Sequence, residues 1–281
     1  MNIIVASDFQ VGSTLALWPE NGRVSEGGGY TLNSVQKWLW ECYLHMLQAV
    51  GKIKPDVLVL DGDLIQGNPP RDKQLVSANL SIQARASYQL LAPLRSLAGK
   101  MYVIRGTGFH DGACAETSEM LTERLDAVRC SASGEASWWE LWLDMGGPVA
   151  HFAHTVGMTR VSYGLGTAPL RDALTLIEEL RRYSAQTPDL RVIVRAHRHK
   201  YSHIAIAGGV HALVCPCWQM RAEYSYAKGI AMLPDIGWLW LEWDGSDLLV
   251  RARLYGYPSP HVEEVNASGG TDSYPNIVYA G

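Results

Sequence analysis

Leu190-Arg191-Val192-Ile193-Val194-Arg195-Ala196-His197-Arg198-His199 is an apolar, β-branched run that gives way to two histidines one residue apart. Residues 190–194 are short and continuous enough to read as a buried strand. His197 and His199 follow its end. Alternate residues of an extended chain face the same way, so both imidazoles can address one point. Imidazole is also the commonest metal-ligating side chain. One His-x-His pair decides little; what matters is whether carboxylates wait at the ends of other strands.

They do. Residues 2–7 form a first apolar run that leads into Asp8-Phe9-Gln10, again a polar pair at i and i+2. Residues 56–60 form a second run, ending in Asp61-Gly62-Asp63. Residues 101–105 form a third, ending in Gly106-Thr107-Gly108-Phe109-His110-Asp111. Residues 138–144 and 149–153 read as a pair joined by Gly146-Gly147, with His154 at the end. Taken singly, Asp8 and the Asp61-Gly62-Asp63 stretch are equally at home in a turn or a helix cap. Asp61 is read as a turn residue or as support behind the ligands, and His151 as a satisfied strand histidine. His203 and His211 have no motif around them.

Between the strands, apolar spacing of the helical kind covers residues 34–50, where Leu39, Cys42, Tyr43, Met46, Leu47 and Val50 share a face. Helices are also expected over 72–97, interrupted before Pro93, and over 116–128 and 167–183. Further strands are expected near 210–214 and over 236–243 and 248–255, the last two joined at Asp244-Gly245-Ser246-Asp247. The order is β-α-β-α-β, then hairpins mixed with a helix. This is α/β class, and it predicts an α/β/β/α sandwich of two mixed sheets flanked by helices.

The chain has 281 residues, 47% of them hydrophobic and 19% charged, which is enough apolar material for a substantial core. No linker, charge run or repeat divides it. One domain over 1–281 is therefore expected, with an irregular tail after about residue 258. A net charge of −4 argues against a broad nucleic-acid-binding surface. No apolar run could span a membrane, and residues 1–7 lack a basic signal region, so no membrane partner or signal peptide is expected. Five sparse cysteines fit reduced thiols in a cytosol better than disulfides. Cys215-Pro216-Cys217 reads as core lining, since no second pair completes a metal site. The tryptophans at 138, 139, 142, 238, 240 and 243 read as sheet packing. Arg160, Tyr163, Trp218 and Arg221 stand in loops, as surface residues or substrate contacts.

Carboxylates and imidazoles at five strand ends, with no thiolate, favour Mn, Fe or Zn over Mg or Ca. The set is too rich for one four-coordinate ion and suits two ions sharing a carboxylate. In this order, the motifs resemble those of the calcineurin-like metallophosphoesterases, most closely the phage and prophage versions. That superfamily shows Asp-x-His, Gly-Asp, Gly-Asn-His-Asp/Glu, a lone His and Gly-His-x-His. This chain has Asp8-Phe9-Gln10, Gly62-Asp63, Gly108-Phe109-His110-Asp111, His154 and Ala196-His197-Arg198-His199.

The resemblance implies a binuclear phosphoesterase in which a metal-bridging hydroxide attacks phosphorus. Its substrate would be a phosphodiester or nucleotide, with DNA or RNA (a nuclease) among the choices. It implies two divalent ions, Mn²⁺ first and Fe or Zn as the other candidates. Asp63 would bridge them, Asp8, Gln10 and His199 would complete the first, and His154 and His197 would hold the second. His110 would be the general acid, its imidazole oriented by Asp111. The cytosol of a bacterium or of a phage-infected host follows as the place of action. Two departures stand out. Gln10 replaces a histidine and shifts the first site toward Mn²⁺. The asparagine ligand is replaced either by Phe109, which cannot ligate, or, with the match shifted, by Thr107. These departures motivate the alternative, a metallophosphoesterase-fold scaffold or interaction protein with little or no turnover.

Overall fold

The computed structural model describes residues 1–68 and 74–258. The expected tail after 258, the Pro69-Pro70 break and the start of the expected helix at Asp72 lie outside the described residues.

In chain order the main elements are β1 (Asn2–Ala6), α1 (Ser34–Ile53), β2 (Val57–Asp61), α2 (Leu80–Leu97), β3 (Lys100–Ile104), α3 (Gly108–Asp111), α4 (Glu116–Arg124), β4 (Leu141–Asp144) and β5 (Val149–Phe152). Then follow α5 (Thr167–Tyr183), β6 (Leu190–Arg195), β7 (Ser202–Ile206), β8 (Val210–Val214), α6 (Glu223–Ala227), β9 (Gly237–Trp243) and β10 (Leu248–Leu254). They build two five-stranded sheets, ordered β10-β9-β1-β2-β3 and β4-β5-β6-β8-β7. In the first, β1, β2 and β3 run parallel, and the β9–β10 hairpin adds antiparallel to β1. In the second, β5, β6 and β8 run parallel, with β4 and β7 antiparallel at the edges. Both sheets are mixed, as expected.

Strand alternation explains the layering. Ile4 and Ala6 of β1 join Leu58 and Leu60 of β2 in packing against Leu39, Met46 and Val50 of α1 and Leu90 and Leu94 of α2. The alternate residues Ile3, Val5, Val57 and Val59 face Phe152, Val192, Val194 and Leu213 of the other sheet. A third cluster joins Leu190, Ile193 and Ala212 to Ala173, Ile177 and Leu180 of α5. Each buried strand is thus apolar on both faces because each face meets a different layer. No helix among the described residues is long and apolar enough to cross a membrane.

Several details differ from expectation. α2 begins at Leu80, residues 74–79 being non-helical, and it runs through Pro93. The missing N–H costs about 3 kcal/mol in a helix interior, but Leu90, Leu91 and Leu94 around it are fully buried and hold the helix to the sheet. α4 stops at Arg124, because Asp126 turns into the left-handed region at φ 50°. β7 was not expected. Only Ile204 and Ile206 of this half-exposed edge strand pack inward, too few to announce a strand.

Candidate metal centre

Strand ends from both sheets bring the polar residues together. Asp8 and Gln10 follow β1, Asp63 follows β2, Thr107 and His110 follow β3, His154 follows β5, and His197 and His199 follow β6. His154 Nε2 lies 3.0 Å from Asp63 Oδ2 and 3.9 Å from Asp8 Oδ1. His197 Nδ1 is 3.9 Å and His110 Nε2 3.8 Å from Asp63 Oδ2. His199 Nε2 is 3.2 Å from Asp8 Oδ1. The side-chain nitrogen of Gln10 sits 3.2 Å from His110 Nε2 and 3.1 Å from His199 Nε2. All seven residues singled out from the sequence therefore meet in one place.

The backbone makes this convergence. Among the described residues, eight non-glycine residues have positive φ, and five of them are Asp8 (51°), Gln10 (42°), Asp63 (51°), His197 (69°) and His199 (55°). The expectation of an extended i, i+2 geometry is corrected on this point: these pairs converge through left-handed turns. Such conformations cost about 1–3 kcal/mol each and persist only where surroundings over-determine them. Here the turns are pinned to one another. Asp8 N–H donates to Gly62 C=O (3.0 Å), Gln10 N–H to Asp63 C=O (2.9 Å), and Trp218 N–H to Asp8 C=O (3.0 Å). Gly106 is required nearby, because a side chain there would run into Asp63 and Asp111.

Asp8, Asp63, His154 and His110 are each held by further partners. Asp8 Oδ2 accepts from Ser7 Oγ (2.8 Å) and from His197 N–H (3.1 Å). Asp63 Oδ1 accepts from Thr107 N–H (2.7 Å) and Thr107 Oγ1 (3.1 Å). This decides between the two matches to the third motif: Thr107, not Phe109, stands at the carboxylate. His154 Nδ1 donates to Asp61 C=O (2.6 Å), which turns Nε2 inward. His110 Nδ1 donates to Gln66 C=O (2.7 Å). The expected role of Asp111 is thereby corrected. Its Oδ2 accepts from Gly106 N–H (2.6 Å) and Ser118 Oγ (2.5 Å), and it braces the loop rather than the imidazole. Ser7 and the Gln66 carbonyl escaped sequence reasoning; a backbone acceptor leaves no mark in a sequence.

Other candidates lie elsewhere. His151 is satisfied by Glu140 (3.0 Å) and Arg195 (3.1 Å). His203 and His211 bond each other at 2.8 Å across β7 and β8. Cys215 and Cys217 are free, buried thiols. Trp218 is buried and stacks on Phe9, while Arg221 lies over the Tyr226 ring.

The residues present fit a divalent cation. Gln10 Oε1 is buried without a hydrogen-bond partner, which a folded protein rarely tolerates, and Asp8 Oδ1 and His154 Nε2 meet only charged groups of the same cluster, His199 Nε2 at 3.2 Å and Asp63 Oδ2 at 3.0 Å. Asp63, His154 and His197 offer donor atoms all within 4.8 Å of one another. Half a turn of the Gln10 amide would present its orphaned oxygen to the same space.

Charge tells the same story. Burial works to raise the pKa of Asp63, but His154, His197 and His110 outweigh it and hold it well below the usual carboxylate range. Burial opposes protonation of His154, yet Asp63, Asp8 and Asp61 push it up to about 10. His199 is likewise desolvated, and Cys217 and Asp8 raise it well above its ordinary value. Asp61, buried behind His154, is driven up to about 7 by desolvation. At neutral pH and without metal, His154 and His199 therefore carry protons, whereas a ligand must offer a lone pair. Binding of a divalent cation is expected to release protons and to tighten as pH rises toward the His154 value. Calorimetry at about pH 6.5 and about pH 8.5, in buffers of unlike ionisation enthalpy, would read both effects. Affinity independent of pH would contradict the assignment.

No protein-family model matches the chain, and no curated protein matches it. Solved structures show a coarse likeness. Vps29 of Entamoeba histolytica, complexed with Zn²⁺, is 14% identical, with 91% of this chain and 98% of that chain covered and a TM-score of 0.46. A dimetal phosphatase of Danio rerio is 7% identical over 90% and 96%, with a TM-score of 0.47. A Streptococcus pneumoniae protein described as a predicted phosphoesterase is 12% identical over 90% and 97%, with a TM-score of 0.35. At 7 to 14% identity, the roles of the site residues rest on this chain's own geometry.

Proposed function

We propose that this chain is a metal-dependent hydrolase of phosphate esters of the metallophosphoesterase kind, acting on a phosphodiester or nucleotide. The observation that carries it is the convergence of two carboxylates, an amide and four imidazoles at five strand ends, with the buried Gln10 Oε1 left without a hydrogen-bond partner among them. Asp63, His154 and His197 would hold one divalent ion. Asp8, Gln10 and His199 would hold a second, with Asp63 shared. Such ions neutralise phosphoryl charge and acidify water.

The chain's own residues do the rest. Thr107 holds Asp63 through both its N–H and its hydroxyl. Ser7 and the His197 N–H aim Asp8. Gln66 C=O fixes the proton of His110 on Nδ1 and leaves Nε2 facing the centre. Protonated there as well, His110 can give that proton to the departing oxygen. The neutral amide oxygen of Gln10 and the absence of thiolate favour Mn²⁺. The order of the motifs taken together fits the phage-type branch, and free cysteines fit a reducing cytosol.

The test is hydrolysis of bis(p-nitrophenyl) phosphate and p-nitrophenyl phosphate by metal-stripped protein and after adding Mn²⁺. Turnover of the diester only with metal is expected. Gln10 in place of histidine and Thr107 in place of asparagine favour the scaffold reading. Tight Mn²⁺ binding with no turnover of either ester would favour it over the enzyme.

A further inference from the structure

Phenylalanine is scarce in this chain, and its three copies are used differently. Phe9 and Phe152 are fully buried, whereas Phe109 is 61% exposed. Among the described residues Phe109 joins none of the three apolar clusters. Its ring meets that of His110 edge to face, with centroids 5.0 Å apart. A ring left 61% exposed and outside every apolar cluster contributes little to folding at this position.

The backbone that carries the ring is nonetheless held in place. α3, the turn that carries Phe109 and His110, presses on Gly67. A side chain there would strike the carbonyl of His110 at 2.8 Å and that of Phe109 at 3.2 Å. The same turn is fixed from the other side by the His110–Gln66 bond. Beside it there is room, since outside its chain neighbours and the backbone of α3 no atom lies within 4 Å of the place a side chain on Gly108 would take.

We propose that Phe109 is a stacking platform for a flat aromatic group on the leaving side of the substrate, so that the site prefers phosphate esters of nucleosides or aryl alcohols over those of plain sugars or alkyl alcohols. This rests on the phosphoesterase reading. If His110 Nε2 serves the departing oxygen, the leaving group lies against His110, and the next surface it meets is the Phe109 ring. A π-face accepts any base, so the platform confers a class preference and not sequence specificity. Phe109 is therefore a specificity-determining residue and not a catalytic one.

The experiment measures binding of three probes to Mn²⁺-loaded protein: deoxyadenosine 5′-monophosphate, phenyl phosphate and 2-deoxyribose 5-phosphate. Wild type is expected to hold at least one of the aromatic probes about five- to hundred-fold more tightly than the sugar phosphate. Which of the two it favours separates a nucleobase from a simple aryl group. Phe109→Ala should bring that ratio to about one, and Phe109→Trp should keep it. Metal content equal to wild type would show the variants to be folded. A ratio near one in wild type, or one that Phe109→Ala leaves unchanged, overturns the proposal while leaving the phosphoesterase reading intact. If none of the three probes binds, the proposal falls, and turnover of bis(p-nitrophenyl) phosphate decides the phosphoesterase reading separately.

Discussion

Asp63→Asn is expected to lower metal-dependent hydrolysis of bis(p-nitrophenyl) phosphate by about 10³-fold or more, with little loss of folded protein. Losing one donor at a charge-stabilising site typically costs about 10²–10³-fold, and in the proposed centre Asp63 would be shared by two ions. Its Oδ2 is the oxygen that His154, His197 and His110 all approach, at 3.0, 3.9 and 3.8 Å. Asparagine has nearly the same shape and is among the few residues that accept left-handed backbone, so the 51° turn at Asp63 survives the change. The side-chain oxygen can still take the Thr107 N–H bond. What disappears is the negative charge that raises His154 and that would hold the proposed cation. Two measurements decide the matter: turnover, and bound metal per chain by elemental analysis. Full activity with a full complement of metal would remove Asp63 from the centre.

His110→Asn is expected to slow the reaction by about 10²–10⁴-fold with an alkyl leaving group. The loss should be far smaller with p-nitrophenolate, which departs without a proton. The contrast follows from position. His110 is tied through Nδ1 to Gln66 C=O and points Nε2 at the centre, but it stands farther from Asp63 than His154 does. The dinucleotide TpT and bis(p-nitrophenyl) phosphate supply the two leaving groups. Bound metal should not change. Equal losses with both substrates, together with loss of metal, would make His110 a ligand instead of an acid.

Much of the architecture was legible in the chain. The runs at 2–7, 56–60, 101–105 and 190–194 are strands because they are continuous and apolar, and the structure gives each of them two buried faces. Helix α5 begins and ends where its apolar spacing predicts, at 167 and 183. These signals are local: a period of 2 or 3.6 residues can be read without knowing what the face meets. The site residues were legible for a related reason, since carboxylates and imidazoles placed just after buried strands have few other uses together.

What local pattern could not supply was direction. Whether Thr107 or Phe109 faces Asp63 depends on a contact between residues 44 apart in sequence, and the support of His154 by Asp61 spans 93. Backbone carbonyls orient both His110 and His154, and every residue has a carbonyl, so no residue type announces that role. The passage of α2 through Pro93 reflects packing that outweighs a local penalty. The sequence by itself thus determined the layers, the order of the strand ends and the chemical identity of the candidate ligands, through short-range periodicity and residue type. Only the tertiary structure decided how the chain turns at Asp8, Gln10, Asp63, His197 and His199, because left-handed backbone at non-glycine residues is unfavourable alone and is held there by bonds between loops distant in sequence.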